Sequence, residues 1–154
     1  IDIYGVEPSH FGYLFGLNII CLTIMTSING RIVKKMGSKW MLAFGIIVQL
    51  IAGVALFFGW LADIGLWGIV PFIMLYIGMM STIGSNSMAL LLTNYPSMAG
   101  TASSLAGTLR FGTGSVVGVI VAMLPSDSAW PMILVMTMCA VFSAIFYWFL
   151  GRKV

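Results

Sequence analysis

The feature that most constrains this chain is a series of five apolar runs that follow one another along the sequence. About 20 apolar residues in a helix suffice to cross the roughly 30 Å hydrocarbon core of a bilayer. The runs lie approximately at 11–33, 40–61, 66–91, 102–124 and 130–150. Within lipid each run must be helical, because every backbone N–H and C=O group has to be satisfied inside its own segment. The sequence therefore predicts an all-α integral membrane protein with five transmembrane helices.

The composition separates the chain from soluble proteins and from enzymes. Hydrophobic residues make up 60% of it and charged residues 7%, whereas soluble domains carry roughly 25% charged residues. Catalysis within a membrane would need nucleophiles, paired carboxylates or a histidine cluster, and the five runs contain no acid and no histidine. Cys21 and Cys139 lie in apolar runs without a metal-binding spacing. We therefore expect no catalytic residue, disulfide, metal, cofactor or nucleic-acid partner.

Basic residues set the expected orientation of the helices. A cluster occupies the first link and consists of Arg31, Lys34, Lys35 and Lys39. Arg152 and Lys153 follow the fifth run, which places them on the same side of the membrane as the first link. Short loops rich in lysine and arginine remain on the cytoplasmic side. The N-terminus is therefore expected outside and the C-terminus inside.

The fourth run carries an arginine, Arg110, near its middle. Small residues share its helix face at three- and four-residue spacing: Ser103, Gly107, Gly114 and Gly118. A cation in hydrocarbon is costly and marks a functional site by default. In one interpretation Arg110 lines a polar cavity, where it holds an anionic group, orients substrate or biases a neighbouring acid. In the other, its long stem carries the guanidinium toward the cytoplasmic helix end, or the side chain forms a purely structural pair.

Other polar and sulfur-containing side chains give weaker signals. Asn18 and Asn86 fit a cavity wall and an interhelical hydrogen bond equally well. Three further polar residues are better explained as bonds between helices: Gln49, Ser81 and Ser85. Four methionines could form a plastic wall for drugs, although packing or lipid contact is the better explanation: Met25, Met79, Met80 and Met88.

Four segments together resemble a known family of transporters. The first link reads Gly30-Arg31-Ile32-Val33-Lys34-Lys35-Met36-Gly37-Ser38-Lys39 and resembles the loop motif of the major facilitator superfamily. Residues 99–112 resemble the penultimate helix of the Bcr/CflA drug-resistance branch, which contains the bicyclomycin and chloramphenicol efflux proteins. Residues 85–89 and 128–132 resemble further segments of that branch. Because the four matches occur in order across nearly the whole chain, they are far more specific than the loop motif alone.

This resemblance implies a place for the chain in a larger fold. The five helices correspond to the eighth to twelfth helices of a twelve-helix carrier, and residues 1–154 form part of its C-terminal half-bundle. The N-terminal half of the same transporter is then a partner. The eighth, tenth and eleventh helices are expected near the central cavity, whereas the ninth and twelfth are expected at the periphery. On this placement Arg110, Asn18, Asn86, Gly107 and Gly114 are the cavity candidates, and Gln49 becomes less favoured.

The resemblance also implies an activity. It points to multidrug efflux by proton-coupled antiport in a bacterial inner membrane, with the proton gradient as energy source and hydrophobic or amphipathic drugs as substrates. Since no acid lies in the runs, the proton-binding carboxylate is expected outside this chain. Lys34 occupies the acidic position of the loop motif, which favours a structural role: a tight turn at Gly30 and Gly37 beside a basic cluster. A structural or docking subunit of a larger membrane complex is the alternative function.

Overall fold

The computed structural model describes residues 8–124 and 129–151 of the chain. This part forms five long α-helices: α1 (Pro8–Met36), α2 (Ser38–Leu61), α3 (Gly65–Asn94), α4 (Ala99–Met123) and α5 (Trp130–Phe149). A short 3₁₀ helix, Pro96–Met98, joins α3 to α4. All five helices are long and apolar enough to cross a bilayer. The predicted all-α membrane architecture is confirmed, and each helix end lies within about one helical turn of the predicted end.

The first link is tighter than the sequence suggested. Gly30 lies inside α1, so the prediction that it forms part of a turn is wrong. The chain reverses at Gly37, whose φ of 82° lies in the left-handed region that favours glycine. The Gly37 amide donates to the Val33 carbonyl at 2.9 Å and ends α1. The basic cluster around this turn is exposed: Arg31, Lys34, Lys35 and Lys39.

The centre of the described chain is a three-helix core in which α2 packs against α3 and α5. Ala52 and Leu56 of α2 are fully buried there, together with Ile133 of α5. Hydrogen bonds also link these three helices. The Tyr76 hydroxyl of α3 donates to the Met136 carbonyl at 2.9 Å, and the Thr137 hydroxyl of α5 donates to the Gly53 carbonyl at 2.9 Å. These bonds tie three membrane helices into one unit.

The five helices differ in the share of their residues that is buried. The most apolar window of α2 is 39% buried, whereas that of α4 contains no buried residue. The sequence pattern alone does not explain this difference, because both helices are long and apolar. Helix α2 is central because two of its glycines, Gly45 and Gly53, let it approach α3 and α5 closely. The expected peripheral place of α2 refers to a complete carrier, and it stays a prediction.

Candidate functional site

A cleft of about 470 Å³ lies between α2, α3 and α4. Its polar side chains are Arg110 of α4, Gln49 of α2 and Ser87 of α3. The remaining wall is largely apolar and consists of Met80, Ile83, Gly84, Met88, Leu91 and Ala106. An apolar pocket with a few converging polar groups is the usual form of a small-molecule site. The cleft is therefore the candidate functional site.

The Arg110 guanidinium lies directly on the backbone of α3 at Gly84. A Cβ atom added to Gly84 would lie 2.7 Å from Nη1 and 3.0 Å from Nη2 of Arg110. Such distances are far below normal carbon–nitrogen contact, so the arginine can occupy this position only because residue 84 has no side chain. Arg110 also lines a second cavity of about 500 Å³ with Met80, Phe111, Gly114 and Ser115. The guanidinium therefore stands between two cavities.

The position of Gly84 also shows where the arginine head group lies in depth. Arg110 follows Ala99, the first residue of α4, by a distance of roughly 16 Å along the helix axis. Gly84 precedes Asn94, the last residue of α3, by roughly 15 Å. Those two helix ends face each other across the short 3₁₀ link. The guanidinium thus stays at the depth of its own backbone and does not extend toward the helix end.

No charged group neutralises this arginine within residues 8–124 and 129–151. The acid in that part of the chain is Asp63, which lies in the link between α2 and α3 and not within a span. The Arg110 side chain makes no hydrogen bond or ion pair with the side chains or backbone of these residues. Five N–H donors and a permanent positive charge are therefore available to a ligand or to polypeptide outside the described residues.

Gln49 is the cleft residue that sequence reasoning undervalued. Its side chain is only 8% exposed, lines the cleft with Arg110, and forms no hydrogen bond with the residues that the structure describes. The available signal was its spacing from Gly45 and Gly53 on the same face of α2. A Cβ atom at Gly45 would lie 3.0 Å from Ile83 Cγ1, and one at Gly53 would lie 3.1 Å from Ala140 Cβ. Close helix contacts on both sides therefore hold Gln49 toward the protein interior.

The four methionines separate into two groups. Met80 and Met88 line the cleft beside Arg110. Met79 is buried, and the Met25 side chain packs against Gly78 at the contact between α1 and α3. The plastic wall considered from the sequence is thus available at two of the four positions, both on α3.

Asn86 lies away from the cleft, in a buried hydrogen-bond network between α1 and α3. It is 2% exposed, and its Nδ2 donates to Asn29 Oδ1 at 2.7 Å and to the Thr82 carbonyl at 2.8 Å. Asn29 Nδ2 donates in turn to Ser85 Oγ at 3.1 Å. The structure therefore gives Asn86 an interhelical role. Asn18 is half-buried on the same helix as Asn29.

Ser81 joins the same α1–α3 contact. Its hydroxyl lies 2.6 Å from Thr26 Oγ1 of α1. Together with the Asn29–Ser85 bond, this contact agrees with the prediction that Ser81 and Ser85 form hydrogen bonds between helices. Membrane helices commonly associate through such polar bonds, each worth about 1 kcal/mol or less.

Gly107 and Gly114 lie on the open side of α4. A Cβ atom at either position would meet no atom within 4 Å. Gly114 lines the second cavity with Arg110, and Gly107 is half-buried one turn before Arg110. Both remain predicted cavity residues, and their surroundings make them suitable for substitution by a larger residue.

Thiol labelling tests whether this face of α4 meets water. In full-length protein whose natural cysteines have been replaced, Gly114→Cys is expected to react with a charged, water-soluble thiol reagent, because position 114 borders the cavity beside Arg110. Ile120→Cys is the matched control, since Ile120 is an exposed apolar residue of the same helix. It should react with a lipophilic reagent and resist the charged one. Equal resistance of both sites in every conformational state would contradict the predicted aqueous cavity.

Two curated proteins resemble the chain over 99% of its length. It is 39% identical over 153 residues to the "Bicyclomycin resistance protein homolog" of Haemophilus influenzae. It is 28% identical over 152 residues to the "Uncharacterized MFS-type transporter YdgK" of Bacillus subtilis. In each case the chain spans 38% of the relative's own length.

No family model and no solved structure matches the chain. Neither of the two relatives bears the name of an enzyme. The resemblance seen in the loop motif and in residues 99–112 is confirmed by these matches, which cover 99% of the chain. Five membrane-spanning helices in the described residues and two such relatives lead to one conclusion: this chain is similar to transporters of the major facilitator superfamily and, at the higher identity, to a bicyclomycin resistance protein.

Proposed function

We propose that this chain is the C-terminal part of a carrier that exports drugs in exchange for protons, with α1 to α5 as the eighth to twelfth helices. The observation that carries the proposal is the cleft that joins Arg110 and Gln49 to a methionine-containing apolar wall within the membrane. Such a wall fits hydrophobic or amphipathic compounds, since it can repack around different shapes. Relatedness to a protein named for bicyclomycin resistance supports drugs as the substrate class.

The packing of the helices supports transport by alternating access. Helices α2, α3 and α5 form a tight core, whereas α4 contains no buried residue and contacts the others sparsely. In transporters built from two bundles, one bundle rocks against the other around a site near the membrane midplane. The core of this chain would move as a rigid body, and the open face of α4 would meet the N-terminal half. The proton-binding acid would lie in that half.

A structural or docking subunit remains the second candidate. The side of α4 turned away from Arg110, which carries exposed Leu109, Val116 and Ile120, also suits attachment to another membrane protein. The two functions differ in what the gene encodes. A carrier requires roughly seven further spans in the same reading frame, and a docking subunit does not.

Transport by purified full-length protein in proteoliposomes tests the proposed function. Radiolabelled chloramphenicol or bicyclomycin should accumulate in the vesicles when a pH gradient is imposed, and a protonophore should abolish the accumulation. Vesicles without protein serve as the control. Drug movement that is the same with and without the gradient would exclude proton coupling, and no drug movement at all would exclude the carrier function for these drugs.

A further inference from the structure

Two polar groups that line the cleft have no described hydrogen-bond partner: the permanently charged Arg110 guanidinium and the Gln49 amide. Arg110 makes no ion pair or hydrogen bond with residues 8–124 or 129–151, and Gln49, 8% exposed, likewise makes none there. We propose that these two side chains form the polar end of a binding site for an anionic amphiphile. The ligand's carboxylate, or a similar oxyanion, binds Arg110 and Gln49, while its apolar body packs on Met80 and Met88. This inference rests on the proposed transport function.

The charge of the site favours an anion over a neutral or cationic group. Arginine keeps its proton at all physiological pH values, and its planar fork matches the two oxygens of a carboxylate. A lone charge within a membrane is costly, and an opposite charge at hydrogen-bonding distance offsets that cost. Since the described acid, Asp63, lies outside the spans, the cleft itself offers no carboxylate to the guanidinium.

Gln49 supplies an independent reason for a ligand with oxygen acceptors. Its side chain is 8% exposed, and its amide forms no hydrogen bond with the residues that the structure describes, so the amide group is left available to the cleft. The Gln49 side chain lines the cleft that contains Arg110. A ligand carboxylate in the cleft would accept from the Gln49 Nε2 amide and from the Arg110 guanidinium. The amide thereby gains a hydrogen-bond partner when the ligand binds.

Gly84 positions the guanidinium for this role. Because a side chain at residue 84 would overlap Nη1 and Nη2, the glycine allows Arg110 to lie across α3 between the two cavities. Gly84 is thus a positioning residue for Arg110. The cleft volume of about 470 Å³ lies within the range of roughly 300–1,000 Å³ found for small-molecule sites.

The test compares two ligands that differ only in charge. A fluorescent aryl-alkyl carboxylate and its primary amide are titrated into full-length transporter held in nanodiscs of zwitterionic lipid. The wild type should bind the carboxylate about tenfold more tightly than the amide, which corresponds to about 1.4 kcal/mol. Arg110→Gln should remove this preference, because glutamine carries no charge. Gln49→Met should weaken carboxylate binding severalfold.

Two glycine variants test the positioning role. Gly84→Ala should lower the preference for the carboxylate, because the added Cβ atom displaces the guanidinium. Gly112→Ala in α4 is the matched control, since its Cβ atom would meet nothing within 4 Å. If Arg110→Gln fails to fold, Arg110→Lys replaces it, and a reduced preference is again expected because lysine loses the two-pronged geometry.

Two outcomes would overturn the inference: equal affinities of the wild type for both ligands, or a carboxylate preference that persists without Arg110. Displacement of the carboxylate when the nanodiscs contain phosphatidylglycerol would support the anion site and identify a lipid headgroup as its occupant. Failure of this inference and failure of the proposed transport function can be told apart. Proton-driven drug transport without charge preference would overturn the inference alone, and a charge preference without transport would overturn the function alone.

Discussion

Replacing Gly53 by leucine is expected to destabilise the helix core more than any other single substitution considered for this chain. A Cβ atom at Gly53 would already lie 3.1 Å from Ala140 Cβ and 3.5 Å from the Thr137 Cα atom. One of these neighbours is backbone, so the leucine cannot be accommodated by a side-chain rotation. Helix α5 would have to move away from α2, which also breaks the Thr137–Gly53 hydrogen bond. We expect a loss of about 3 kcal/mol.

The measurement is unfolding of purified full-length protein in denaturant, together with the monodisperse fraction recovered in detergent. Gly112→Leu is the control, because a Cβ atom there would meet no atom within 4 Å. Both variants gain the same helix propensity on losing a glycine, so the difference between them reports packing. Equal stability of the two variants would show that α2 and α5 do not approach each other at Gly53.

Replacing Asn86 by leucine is the second substitution with a large expected effect. Asparagine and leucine have side chains of similar size. The variant therefore mainly removes the Asn86 Nδ2 donor, which lies 2.7 Å from Asn29 Oδ1 in a buried contact. Leaving a buried acceptor unsatisfied costs about 1–3 kcal/mol. Asn29 keeps its bond to Ser85, so it cannot turn to another partner without losing that bond. We expect a loss of about 2 kcal/mol of unfolding free energy.

A double-mutant cycle separates the interaction from other effects. The Asn29→Leu, Asn86→Leu double variant should lose less stability than the sum of the two single variants, because removal of both partners leaves no unsatisfied amide from the pair. Ser115→Ala is the control, as its hydroxyl bonds only within its own helix, to the Phe111 carbonyl at 2.9 Å. Additive effects of the two asparagine substitutions would show that the amides do not interact.

The behaviour of Asn86 and Gln49 shows where sequence reasoning reaches its limit. Both are polar residues on faces with glycine or serine, and the family resemblance favoured Asn86 over Gln49 as a cavity residue. In the structure Asn86 bonds to Asn29 across α1 and α3, while Gln49 lines the cleft with Arg110. A polar side chain in a membrane helix must avoid lipid, but periodicity does not indicate which neighbouring helix or cavity receives it.

The places of Gly84 and Gly30 in the fold were likewise not predictable from the sequence pattern. Gly30 belongs to a loop motif and was expected in the turn, yet α1 continues through it to Met36. Gly84 had no motif to distinguish it, yet it is the residue on which the Arg110 guanidinium lies. The role of a glycine depends on which atoms approach its missing side chain, and those atoms come from distant parts of the chain.

The sequence by itself determined that the described part of this chain forms five membrane helices, because the length of each apolar run and the absence of water in the bilayer leave a helix as the form each run can take. It also identified Arg110, since a cation within an apolar run is costly. Only the tertiary structure decided which helices pair and which side chains meet Arg110. Several pairings of apolar helices bury similar surface, and close contacts at Gly45, Gly53 and Gly84 select among them.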